Sequence, residues 1–190
     1  MELLVKKKLK IYIISLILCI LIPVSVFPQK GYIREVNIKP SNGGLKVSFF
    51  VEDCFTEKIE EAIKAGITTT FNFYLRIYQK RWWKDKEIAN KDFSHIIRFD
   101  PVKGEYHIKL EESLNSYITS NSYEEAKRLM ATVKDVEIKP NIRLPNGTSK
   151  ELRIKVEVDP AKLPFPLEYL FFLISIWDFK TDWHIESIPF

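Results

Sequence analysis

The segment ITTTFNFYLRIY, residues 67–78, decides the fold. Its apolar and polar side chains alternate with a period of two, the pattern of a strand that has one face in a core and the other toward water. The apolar face carries Ile67, Phe71, Phe73, Leu75 and Ile77, and the other face carries Thr68, Thr70, Asn72, Tyr74, Arg76 and Tyr78. We predict that this segment is the longest strand of the protein and that it pairs with residues 93–99.

Shorter alternating segments lie on both sides of this strand. Residues 32–39 and 45–52 flank Ser41-Asn42-Gly43-Gly44, which predicts a β-hairpin. Residues 105–110 follow a turn at 100–104, and a Pro145-Asn146-Gly147 turn separates residues 136–144 from 152–158. Strands joined by tight turns favour antiparallel pairing. The predicted fold class is mostly β (α+β), an antiparallel sheet or β-sandwich with two or three short helices.

Two helices are predicted from capping signals. Thr56 can cap a helix that runs to Ala65, with Gly66 ending it. Ser122 and Glu125 form a capping box that begins a second helix. The inward face of that second helix is predicted to carry Tyr123, Ala126, Leu129, Met130 and Val133.

The C-terminal region contains an apolar run over residues 167–177, which is too short to span a membrane. The simplest interpretation is a buried helix or strand that closes one end of the core. A surface that faces lipid or a partner is the alternative. Residues 183–190 are predicted to add an edge strand.

The N-terminal region has the layout of an export signal. Lys6, Lys7, Lys8 and Lys10 precede an apolar run over residues 11–27. Small residues do not occupy the positions that signal peptidase requires, so residues 1–30 are either a signal peptide or an uncleaved N-terminal anchor. The remaining residues 31–190 are predicted to form one exported domain, periplasmic or tethered to the inner membrane.

The net charge of +4 belongs to this leader. Five of the 29 Lys and Arg and one of the 25 acidic residues lie in residues 1–30, which leaves 24 of each in the exported domain. A neutral exported domain argues against a nucleic-acid partner. Two cysteines are too few for a disulfide scaffold or a four-thiolate zinc site.

Five motifs occur in an order that identifies a family. They are Glu-x-x-Ile-x-x-Gly-Ile-x-x-x-Phe at 60–71, Arg-Trp-Trp at 81–83, Ile-x-Phe-Asp-Pro at 97–101, Tyr-x-Glu-Ala at 123–126 and Asp-x-x-x-Leu-Pro-x-Pro-Leu at 159–167. With the Trp-rich end, they resemble the bacterial exported domain-of-unknown-function 4390 family over essentially the whole exported domain.

This resemblance implies an export signal but no activity, cofactor or catalytic residue. Some members of the family look to be encoded beside a membrane sensor kinase, which suggests a link to a membrane signalling partner. The present chain departs from the family in lacking the usual small-residue cleavage box after its leader.

Motifs for catalysis are absent from the sequence. His95, His107 and His184 have no metal-ligand spacing and are interpreted as surface or hydrogen-bonded histidines. Cys54 is interpreted as a plain buried thiol, with a mixed disulfide to a partner as the alternative. Adjacent carboxylate pairs, at 52–53, 60–61, 111–112 and 124–125, are interpreted as solvated charges or as charges at helix starts. We predict no enzyme activity, no cofactor and no metal.

The most informative cluster lies between the two central strands. It contains Lys80, Arg81, Trp82, Trp83, Lys84 and Lys86. One interpretation is a hairpin tip whose tryptophans cover the end of the core while the cations stay in water. The alternative is a contact site for a membrane surface or a partner, because Trp beside cations is typical of membrane interfaces and ligand-stacking sites.

Three functions follow in order of preference. The first is a non-enzymatic cell-envelope module that binds a protein or a membrane surface. The second is a carrier of an apolar ligand inside a sandwich cavity, suggested by 13 Phe, 8 Tyr and 4 Trp. The third is an envelope hydrolase, which requires a cleft where a His or a carboxylate pair meets a nucleophile. The sequence does not predict the oligomeric state.

Overall fold

The computed structural model describes residues 30–113, 117–140, 149–160 and 179–189. Two helices and ten strands occur in these ranges. The helices are α1 (Glu57–Lys64) and α2 (Tyr123–Ala131). The strands are β1 (Tyr32–Ser41), β2 (Gly44–Glu52), β3 (Thr69–Gln79), β4 (Lys86–Asp100), β5 (Glu105–Leu110), β6 (Tyr117–Ser120), β7 (Thr132–Ile138), β8 (Lys150–Pro160), β9 (Phe179–Lys180) and β10 (His184–Ser187). The predicted mostly-β (α+β) fold class is confirmed.

Strand β3 is the centre of a seven-stranded antiparallel sheet with the order β10-β8-β3-β4-β5-β6 and β9 beside β8. Its burial alternates along the whole strand, and Phe71, Phe73, Leu75 and Ile77 are all buried as predicted. The prediction is wrong for Ile67, which precedes β3 and is only half-buried, because β3 begins at the buried Thr69. The prediction that it is the longest strand is wrong. β4 has 15 residues and β3 has 11, because β4 pairs with β3 from Lys86 to Ile97 and continues beyond β3 to Asp100, where it pairs with β5.

A second, three-stranded antiparallel sheet has the order β1-β2-β7. The hairpin between β1 and β2 turns at Asn42 and Gly43, where Gly43 has a φ of 81°. The second sheet packs on the first, since the ring centroids of Phe49 and Phe73 lie 6.1 Å apart. The buried face of β2 carries Leu45, Val47, Phe49 and Val51 as predicted. The fold is therefore a sandwich of two sheets.

Both helices begin where the capping signals predict. The Thr56 hydroxyl accepts a hydrogen bond from the Ile59 N–H, and the Ser122 hydroxyl accepts one from the Glu125 N–H. The predicted end of α2 is wrong. The helix stops at Ala131, Thr132 is extended, and Val133 is buried in β7 rather than in the helix. Thr132 and Val133 pair with Phe50 and Phe49 of β2, and this pairing decides the abrupt change from helix to strand, which their β-branched side chains tolerate.

The structure also corrects the predicted strands near the C-terminus. β7 starts at Thr132, four residues before the predicted start, and β6 was not predicted. β10 forms an edge strand on β8 within the predicted range 183–190.

The predicted leader, the turn at 145–147 and the apolar run at 167–177 lie outside the described residues. Within the described ranges, no helix is long and apolar enough to cross a membrane.

Candidate functional site

The predicted contact cluster occupies the tip of the β3–β4 hairpin, residues 80–86, which we call the tip. Strands β3 and β4 pair up to Gln79 and Lys86, so the residues between them extend beyond the last pair of the sheet. The Lys80 N–H donates to the Ser149 carbonyl at 2.9 Å, which joins the base of the tip to the start of β8. The tip is thus a short loop fixed at its base.

Both tryptophans of the tip are exposed to solvent. Trp82 is 94% exposed and Trp83 is 82% exposed. Their rings contact each other edge to face, with centroids 5.7 Å apart. The interpretation that they cover the end of the core is wrong, because the sheet ends at Gln79 and Lys86 and leaves the tip outside the core. A pair of rings this exposed suits a contact with another surface.

The cations of the tip differ in their partners. The Lys80 ammonium donates to Glu151 at 2.8 Å, and Arg81 donates to the Gln79 side chain at 3.4 Å. Lys84 and Lys86 are exposed and form no ion pair within the described part of the chain. Because the Gln79 amide is neutral, the tip presents three positive charges without an ion-pair partner among the described residues, those of Arg81, Lys84 and Lys86.

The base of the tip is held to the outer face of the larger sheet by charged groups. Asp85 accepts a hydrogen bond from Arg153 at 2.5 Å, and the Arg153 guanidinium also lies 4.2 Å from the ring centroid of Tyr78. The hydrogen bond to Glu151 raises the pKa of Lys80, and the same bond lowers the pKa of Glu151. Both partners stay charged over a wider pH range than they would alone.

Further exposed apolar side chains lie along the same edge of the sheet. Ile185 of β10 pairs with Arg153 of β8, the residue that holds Asp85 of the tip. Both Ile185 and Trp183 are exposed. The Lys30 ammonium donates to Asp182 at 2.9 Å, which places Lys30, the last residue of the predicted leader, at this edge. The β8–β10 edge thus runs from Lys30 to the tip.

The exposure of the two rings gives a prediction about stability. Trp82→Ala/Trp83→Ala should change the free energy of unfolding by no more than about 0.5 kcal/mol, because neither ring contributes to the core. Urea denaturation of the full chain in mild detergent, followed by circular dichroism, measures this. A loss comparable to that of a core aromatic would show that the rings are needed for folding.

His95 and Cys54 are both buried in the structure. His95 is fully buried, with Nδ1 2.8 Å from the Met130 carbonyl and Nε2 2.8 Å from Glu112. Both ring nitrogens are therefore engaged, and neither can accept a proton from a nucleophile without losing a hydrogen bond. Cys54 is buried, as predicted, and burial raises the pKa of its thiol to about 12. Such a thiol is a poor nucleophile.

The interpretation of adjacent carboxylates as solvated charges is wrong for Glu112. Its side chain is 8% exposed, whereas that of Glu111 is 38% exposed. Adjacent residues point in different directions, so one acid of the pair enters the interior and the other stays in water. No group of three or more His, Cys, Asp or Glu in the described ranges is arranged to hold a metal ion.

One family matches the chain in comparisons with known proteins. The model of a domain of unknown function, DUF4390, matches residues 29–186. No curated protein and no solved structure matches the chain.

Proposed function

The chain belongs to the DUF4390 family, a domain of unknown function, and we propose that it acts as a non-enzymatic envelope module that touches an anionic membrane surface through the tip. The observation that carries this proposal is the exposure of Trp82 and Trp83 beside unpaired cations. Tryptophan is favoured at the boundary between lipid and water. Each Lys or Arg near an anionic membrane contributes about 1 kcal/mol of attraction.

The charges around the tryptophans favour a contact with a membrane over a loop that simply stays in water. The acidic residue of the tip, Asp85, is paired with Arg153 and does not oppose an anionic surface. Lys84 and Lys86 have no ion-pair partner in the described part of the chain and remain available for lipid phosphates. The rings can enter the headgroup region while the ammonium groups stay at its surface.

The position of Lys30 supports this proposal. Lys30, Trp183 and Ile185 lie on the β8–β10 edge that ends at the tip. Along β8, residues 157 to 151 cover about 20 Å at the usual rise of a strand. An uncleaved anchor at residues 11–27 and the tip could therefore reach the same membrane plane. A membrane signalling protein as the functional partner, suggested by the family resemblance, is part of the same proposal.

Quenching by brominated lipids tests the proposal with the full chain. The wild type and Trp82→Phe/Trp83→Phe are reconstituted into vesicles that contain phosphatidylglycerol or only phosphatidylcholine. We expect brominated phosphatidylglycerol vesicles to quench one component of the tryptophan fluorescence of the wild type, and the variant to lack this component. High salt should weaken the quenching, because the attraction to the membrane is electrostatic. Trp183→Phe is the matched control and should retain this component.

Two results would contradict a membrane role for the tip. The first is equal quenching in the wild type and in Trp82→Phe/Trp83→Phe. The second is cross-linking of the tip to an envelope protein with no effect of lipid composition, which would make that protein the partner instead. Circular dichroism of both variants confirms that the fold is retained.

The two alternative functions receive less support. Charged side chains line the hollows beside α2, which does not suit an apolar ligand. Phe49, Phe73 and Phe93 fill the space between the sheets at ring distances of 5.0 to 6.1 Å. A hydrolase that uses His95 would have to break one of its two buried hydrogen bonds.

A further inference from the structure

A hollow of about 430 Å³ lies between the end of β5, the last turn of α2 and the start of β7. It is separate from the tip, because Leu110 at the end of β5 pairs with His95, nine residues along β4 from Lys86. Glu112, Arg128 and Lys134 contribute charged groups to its wall, and Leu110 and Leu129 contribute apolar surface. This volume falls in the range of small-molecule sites, about 300–1,000 Å³.

The carboxylate of Glu112 has one oxygen engaged and one without a partner. Oε1 lies 2.8 Å from His95 Nε2. Oε2 is buried and has no hydrogen-bond partner among the described residues. A buried oxygen without a donor is unfavourable, so this position calls for a donor group from outside the protein.

The position of Glu112 is fixed by the fully buried His95. The Met130 carbonyl can only accept a hydrogen bond, so His95 Nδ1, 2.8 Å away, must carry a proton. His95 Nε2 and Glu112 Oε1 then share one further proton. The same imidazole thus joins the C-terminal turn of α2 to the segment after β5 and fixes Glu112, which lines the hollow.

The opposite charge in the hollow comes from two unpaired cations. Arg128 and Lys134 are exposed, and neither forms an ion pair within the ranges that the structure describes. A β-bulge sets the position of Lys134, because Lys134 and Asp135 together oppose Ser48 of β2. Asp135 has a φ of 50°, and its N–H donates to the Ser48 hydroxyl at 2.9 Å. The bulge is thus held by a specific contact.

We propose that this hollow binds a small zwitterion of the amino-acid class, with its ammonium at Glu112 Oε2 and its carboxylate at Arg128 and Lys134. A molecule that carries both groups satisfies the buried acceptor and the unpaired cations at once. Leu110 and Leu129 favour an apolar side chain on the ligand. This site goes beyond the proposed membrane contact and does not depend on it.

Isothermal titration calorimetry of the full chain in detergent tests the proposal with three probes. They are L-leucine, N-acetyl-L-leucine, which lacks the ammonium, and L-leucinamide, which lacks the carboxylate. We expect L-leucine to bind and each blocked probe to bind at least about tenfold more weakly, because each loses a charge-assisted hydrogen bond. Equal affinity for L-leucine and either blocked probe, or no binding of L-leucine at millimolar concentration, would overturn the proposal.

Variants then locate the binding site. Arg128→Gln removes an exposed cation and should weaken L-leucine binding about tenfold while leaving L-leucinamide binding unchanged. Lys91→Gln, which removes an exposed lysine of β4 outside the hollow, is the matched control and should bind L-leucine like the wild type. Unchanged L-leucine affinity in Arg128→Gln would place any binding elsewhere and refute this site.

Discussion

Phe73→Ala should lower the free energy of unfolding by about 3–5 kcal/mol, the usual loss for a phenylalanine removed from a packed core. The ring of Phe73 is fully buried and contacts three other rings. It stacks on Phe93 with centroids 5.0 Å apart, lies 6.1 Å from Phe49 of the other sheet, and lies 4.5 Å from His95. Its removal would leave a cavity where the two sheets meet.

Urea denaturation of the full chain in mild detergent measures the effect of Phe73→Ala. Tyr74→Ala is the matched control, since Tyr74 is the next residue of β3 and lies on the partly exposed outer face. We expect the control to lose about 1 kcal/mol. Equal losses in the two variants would mean that the face of β3 toward the second sheet contributes no more to the free energy of unfolding than the outer face does.

The alternation along β3 was sufficient to predict which side chains enter the core. A period of two assigns Phe71 and Phe73 to one face and Asn72 and Tyr74 to the other without any knowledge of the partner strands. The caps at Thr56 and Ser122 were also predicted from local sequence alone, because each side chain accepts from an N–H group of its own helix. Features that depend on local backbone chemistry can be predicted from the sequence.

Features that depend on distant partners were not predicted. The abrupt end of α2 at Ala131 requires the pairing of β7 with β2, which local propensity does not show. The exposure of Trp82 and Trp83 depends on where the β3–β4 ladder ends. Tryptophan is usually well buried, so composition alone favoured the core for these two rings.

The pair of Glu112 and His95 was missed for a related reason. The two residues are 17 positions apart, and they meet because β4 and β5 pair His95 with Leu110, two residues before Glu112. A usable signal was present in the sequence. His95 falls in the apolar phase of β4, between Phe93 and Ile97, where a polar ring requires a buried partner.

The buried pair gives a second large prediction. His95→Leu should lower the free energy of unfolding by about 3–5 kcal/mol, because it leaves the Glu112 carboxylate buried without its partner. The Met130 carbonyl also loses its donor. His107→Leu, which removes an exposed histidine of β5, is the control and should change stability by no more than about 0.5 kcal/mol.

The double variant His95→Leu/Glu112→Leu separates the cost of an unpaired charge from the loss of packing. Replacing both members of a buried pair by apolar groups of similar size is often close to neutral. We therefore expect the double variant to be more stable than His95→Leu alone, which a double-mutant cycle of urea denaturations measures as a coupling energy. If the losses from His95→Leu and Glu112→Leu simply add, the two residues are not coupled, and His95 does not fix the position of Glu112 at the hollow.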